Sequence, residues 1–169
     1  MIRAGSKIFI TGVIALVSTS SAASRAHTAA EPLVRIVSAD TLHDVAVAVY
    51  DSVHPTIYVN QRRMQEFEPA LQSFFLAHEY AHIHLHHTRS YALQASLGGR
   101  NHAIMTSELD ADCWAATTLG RTDRAAVIAA SRFFALMGPF RFDREHPAGS
   151  QRAARILSCL PAPDSVVAP

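Results

Sequence analysis

This 169-residue chain carries almost no excess of either charge: fifteen Lys and Arg face fourteen Asp and Glu, a formal net charge of +1. That balance removes the electrostatic case for nucleic acid or an anionic membrane surface as partner. Arg62-Arg63, the nearest thing to a basic cluster, is too short to supply one. There is no internal repeat. Cysteine is sparse, with Cys113 and Cys159 alone, and nothing places a second thiolate near either in sequence, so neither reads as a nucleophile or metal ligand. Long apolar runs are also missing. The run at residues 8–17 holds ten residues, too few to cross a bilayer core of about 30 Å comfortably.

That short run has a different reading. Arg3 and Lys7 precede it, and the small residues Ser18-Thr19-Ser20-Ser21-Ala22-Ala23 follow it. A positive start, an apolar centre and an Ala-x-Ala-like end make an export signal at residues 1–23, with cleavage expected after Ala23 or Ala26. The alternative is an uncleaved N-terminal anchor. No cysteine follows the apolar run, so lipid attachment there is not indicated. The expected product is a chain in the bacterial periplasm or secreted, without stable membrane insertion. Its length, about 145 residues, suits one domain, placed at residues 33–160, with a proline-rich disordered tail at 161–169.

Within that domain, His78-Glu79-Tyr80-Ala81-His82 carries the most information. On an α-helix, residues i and i+4 share a face, so the two imidazoles can converge on one metal ion. Glu79 lies about 100° round the helix, where its carboxylate can reach a water beside the metal. The flanking residues support a helix. Pro69 suits a first turn, Leu71, Phe74, Phe75, Ile83 and Leu85 supply buried faces, and no Gly or Pro interrupts the run to His87. His84 and His87 are expected to project away from the His78/His82 face.

Catalytic zinc sites commonly use three protein ligands. Ser107-Glu108-Leu109-Asp110-Ala111-Asp112 offers the third. It reads as the start of a second helix with Ser107 as N-cap. Glu108 and Asp112 stand at i and i+4. Glu108 is assigned as ligand, and Asp112 as the carboxylate that orients a metal-bound imidazole.

These motifs resemble those of the gluzincins, zinc metallopeptidases with two His from one helix and a Glu from the next. Glu108-Leu109-Asp110-Ala111-Asp112 is similar to the Glu-x-x-Ala-Asp element of the family that contains the prenyl-protein endopeptidases and the bacterial heat-shock membrane protease. His146-Pro147 followed by Arg152 resembles that family's His-Pro-x-x-x-x-Arg segment. The resemblance implies a zincin-like domain binding one Zn²⁺ through His78, His82 and Glu108. It further implies His146 as an active-site residue steadying the oxyanion, and Arg152 as a structural or substrate-side partner. The interval from His82 to Glu108 is short for the membrane members of that family. Residues 77–86 also resemble the repressor-cleaving metallopeptidases, which share the ligand set.

The expected activity is hydrolysis of a peptide or protein substrate, with Glu79 as general base. Tyr58 and Tyr80 stand beside His146 as candidate oxyanion donors. Two other readings use the same residues: a catalytically silent zinc-binding module, and a metal buffer built on the histidine tract at residues 82–87. In an exported chain the even cysteine count favours a Cys113–Cys159 disulfide over two free thiols.

Elsewhere, residues 33–37 and 56–60 read as strands. Residues 39–50 read as a helix, although their Val-Ala alternation also permits a strand. Gly98-Gly99 marks the loop between the ligand helices, residues 121–137 form a helix ended by Gly138-Pro139, and a last helix follows Pro147. The fold class is α+β, mostly helical, with a sheet of two or three strands.

Overall fold

Residues 33–49, 54–87 and 100–162 are described in the structure, a computed structural model. The expected leader at 1–23, the Gly98-Gly99 loop and the tail beyond 162 lie outside the described residues. Three strands, β1 (Arg35–Ser38), β2 (Ala46–Val49) and β3 (Thr56–Val59), precede a short helix α1 (Gln61–Met64). Among the described residues four longer helices follow: α2 (Pro69–His84), α3 (Arg100–Thr122), α4 (Arg124–Met137) and α5 (Gly149–Cys159). The fold is α+β, as expected.

β3 is the central strand. It runs parallel to β1 and antiparallel to β2, in the order β1-β3-β2. Its β-branched residues Ile57 and Val59 are fully buried, while Tyr58 between them faces outward, the period of two that a one-sided sheet requires. The expected helix over 39–50 is instead a turn at Asp40-Thr41 followed by β2. Alternating Val and Ala fit a pleated surface, and pairing Ala46 with Val59 decides the matter. Asn60 fixes the approach: its side-chain amide donates to the Asp40 and Leu42 carbonyls at 3.2 and 2.9 Å. The same side chain caps α1 by accepting from the Arg63 amide at 3.1 Å.

α2 is the axis of the fold. Pro69 occupies its first turn, where a missing N–H costs nothing. One side packs Ile83 against Ile57, Val59 and Met64 beneath the sheet. The other packs Leu71 and Phe74 against Ala115 and Ala116 of α3, Val127 and Phe134 of α4, and Ile156 of α5. A helix buried on two sides has no single apolar stripe. Leu85, expected in the core, is 37% exposed because α2 stops at His84.

Other boundaries move for local reasons. α3 begins at Arg100, so Ser107 is not its cap; the Ser107 hydroxyl donates back to the Ala103 carbonyl at 2.9 Å. α3 continues to Thr122, and Asp123 then caps α4 by accepting from the Ala126 amide at 3.1 Å. Gly138, at a φ of 57°, ends α4. At Gly149, an added Cβ would collide with the Phe134 carbonyl and lie 2.6 Å from Met137 Cβ. Glycine there is what lets α5 lie against α4.

Cys113 and Cys159 are joined, tying α3 to the end of α5 across a separation of 46 residues. Thiol titration of denatured, unreduced protein should therefore find no free thiol. In the chain-entropy picture the Cys113→Ala/Cys159→Ala double variant should lose about 3–4 kcal/mol in urea unfolding. Two titratable thiols in that material would count against the bridge.

Candidate metal centre

The last two turns of α2 and the middle of α3 face each other, and the buried side chains at that contact are polar. His78 Nε2 lies 3.1 Å from His82 Nε2 and 3.1 Å from Glu108 Oε2. His82 Nε2 lies 3.3 Å from Glu108 Oε1. All three residues are 6% exposed. The three donor atoms fit within 4.8 Å of one another, so the group can hold a metal ion. It is the one such group among the described residues.

The outer atoms of the imidazoles explain why a cation suits it. His78 Nδ1 faces Asp112 Oδ1 at 3.0 Å, so its hydrogen belongs there, and Nε2 is left to present a lone pair inward. Asp112 is held in turn by Arg152, whose Nε and one terminal nitrogen donate to its two oxygens at 2.8 and 2.6 Å. Asp112 and Arg152 are 0% and 6% exposed. The Arg152 guanidinium also lies 3.9 Å from the centroid of the Phe134 ring, a cation–π contact. Two imidazole nitrogens and a carboxylate oxygen thus point at one another inside the protein. Acceptors so placed repel unless a proton or metal cation sits among them.

The proton affinities follow the same logic. Burial opposes a charged His78, but hydrogen bonds to Asp112 and Glu108 outweigh it and raise its pKa to about 9. Burial likewise works against ionised Glu108, yet its hydrogen bonds to His78 and His82 hold the carboxyl well below its ordinary range. Asp112 is lowered because Arg152 outweighs the effect of burial. Without metal, the site holds positive charge as an imidazolium.

A cleft of about 390 Å³ opens onto this group. Glu79, half-buried, lines it together with His78, His82, Glu108, His146 and Arg152. Val45 and, from the β2 edge, Ala46, Val47 and Ala48 line one part, and Phe67, Phe75 and Phe133 another. Those three rings pack edge to face with centroids 5.1–5.8 Å apart. His146, far beyond His82 in sequence, returns to bring its Nε2 to 3.7 Å from Glu108 Oε2. Tyr58 and Tyr80 are not among the residues lining the cleft.

Two participants escaped the sequence reading. Asp143 accepts from His146 Nδ1 at 2.9 Å and from the backbone amides of Glu145 and His146 at 2.7 and 2.9 Å. Burial works against its ionisation, but these bonds together outweigh it and keep its carboxyl below the ordinary range. Its position three residues before His146 was the available signal. The second is His87, expected to point away from the site. It is buried, with its Nδ1 3.0 Å from His82 Nδ1. Burial first, then the neighbouring His82, lowers its pKa to about 4, so the ring is neutral. His84 does lie on the outer side, near the Trp114 ring at a centroid distance of 5.2 Å. Compared with known proteins, the chain matches no family model, no curated protein and no solved structure.

Replacing Arg152 with Leu would strand the Asp112 carboxylate in the interior. Breaking a buried pair from one side typically costs about 3–5 kcal/mol. Urea unfolding of metal-free Arg152→Leu should show a loss of that order, and Arg152→Lys a smaller one. Equal stability of Arg152→Leu and wild type would show that Asp112 does not depend on this partner.

Proposed function

We propose that the chain is an exported zinc-dependent peptidase that hydrolyses a peptide or protein substrate in the cleft between the β2 edge and α2. The observation that carries this reading is the convergence of His78, His82 and Glu108 with Glu79 and His146 around one opening. Three N/O ligands suit Zn²⁺ with a position left open. When bound, the ion supplies a Lewis acid for the scissile carbonyl and acidifies water.

The residues of the chain divide the remaining work. Glu79 accepts a proton from the attacking water as the new C–O bond forms. It returns that proton to the amide nitrogen as the C–N bond breaks, leaving a carboxylic acid and an amine. Its neighbours His78 and His82 point inward, whereas Glu79 stands on the open side of α2 where substrate enters. His146 donates from Nε2 to the carbonyl oxygen as negative charge develops there. The Asp143 carboxylate, accepting at Nδ1, holds the ring in place. Asp112 and Arg152 hold the His78 ring from behind. The exposed edge of β2 suits an extended chain, whose backbone can pair with it.

Zinc analysis and a peptide-hydrolysis screen on paired variants test the proposal. Wild type should hold one zinc per chain, and His82→Ala should lose it; stoichiometric zinc in that variant would remove His82 from the ligand set. Glu79→Gln should keep zinc and lose hydrolysis by several orders of magnitude, because an amide cannot take the water proton. Unchanged turnover would show that Glu79 is not the base.

His146→Ala should lower kcat and kcat/KM together by about 10²-fold or more with zinc content unchanged. A rate within a factor of about three of wild type would leave His146 only as a cap for α5.

A further inference from the structure

A continued α2 would carry residue 87 about 140° away from residue 82, at 100° per residue. The helix does not continue. After His84, the Leu85 amide donates to the Ala81 carbonyl at 2.8 Å and the His86 amide to the Ile83 carbonyl at 3.1 Å. His86 then takes a φ of 56°, the one positive value at a non-glycine residue among the described residues. That left-handed conformation is uncommon outside glycine. Its consequence is specific: it turns the chain inward and lays the His87 ring beside His82, centroids 5.1 Å apart and planes at 72°.

The two Nδ1 atoms, 3.0 Å apart, need one hydrogen between them. If His87 carries it, His82 must carry its own hydrogen on Nε2, aimed at His78 and Glu108, where it blocks a cation. If His82 carries it, the Nε2 lone pair is free and His87 Nδ1 accepts. Only the second arrangement is compatible with a metal among His78, His82 and Glu108. We infer that His87 is a positioning residue for metal binding, whose Nδ1 accepts from His82 Nδ1 and so fixes the tautomer and ring plane of that ligand. The inference rests on the metal centre proposed above and extends it. His78 is oriented by a carboxylate, His82 by a neutral imidazole that an inward turn delivers.

The test is Zn²⁺ affinity of the full chain, measured against a competing chelator, in His87→Leu and His87→Asn. Leucine fills the space but accepts nothing. Asparagine places an amide oxygen about where the imidazole Nδ1 sits. His87→Leu should bind zinc about 10–100-fold more weakly, the usual cost of losing such a partner. His87→Asn should recover to within about threefold, with the thermal midpoints of the two metal-free variants alike. Wild-type affinity in His87→Leu overturns the inference. So does equal weakening in both variants with both metal-free midpoints lowered, which would make the ring a packing element. Absence of zinc uptake by wild type would instead overturn the metal centre itself.

Discussion

The buried pair of Arg152 and Asp112 is the constraint around which the other parts are arranged. A carboxylate with no exposure is tolerable only when its lone pairs are filled. Two guanidinium nitrogens and the His78 Nδ1 fill them. The pair therefore joins three helices, with Arg152 from α5, Asp112 from α3 and His78 from α2. Neighbouring features serve the same junction. Gly149 removes the side chain that would hold α5 off α4. Phe134 lies against the guanidinium. The Cys113–Cys159 bridge ties α3 to α5 beginning one residue beyond Asp112. Because α5 is anchored at Arg152, the segment before it, with His146, is held at the mouth of the cleft.

The centre is asymmetric in a way that chemistry can use. On its closed side, every outward nitrogen of the two imidazoles has a partner: Asp112 for His78 and His87 for His82. That leaves acceptors facing inward, and raises the demand for a cation. On its open side, Glu79 stands half-buried in the cleft, with His146 near Glu108 on the opposite side. Burial belongs to the groups that would hold a metal, and access to the groups that would move protons. The sheet contributes by presenting an edge. Among the described residues β2 has β3 on one side only, and its residues line the same opening.

Much of this was legible because it depends on the helical period alone. His78 and His82, like Glu108 and Asp112, stand four apart on helices whose existence the surrounding apolar and alanine-rich residues signal. That each pair shares a face follows from 3.6 residues per turn. The α+β class, β3, α2 and the cysteine pairing were similarly accessible. The cysteine pairing was reached because only one partner exists for each thiol. Where signals were ambiguous the reading slipped. The alternating Val and Ala of residues 45–49 suited either helix or strand, and only pairing with β3 separated them. Ser107 looked like a cap because nothing in sequence shows that its hydroxyl is satisfied by the turn before it.

The sequence by itself determined the local repeat of ligand types and the chemistry that those types permit. Tertiary structure alone decided how the pieces meet. Arg152 and Asp112 are separated by 40 residues, and no local rule says that one should be buried against the other. His87 lies five residues from His82, yet its inward position depends on a helix that ends without Gly or Pro and on one left-handed residue. Asp143 gains its role only because the segment before α5 folds back over the centre. Local geometry is written in spacing; the partners of buried charges come from packing, where the cost of an unpaired group in the interior selects among arrangements that the spacing leaves open.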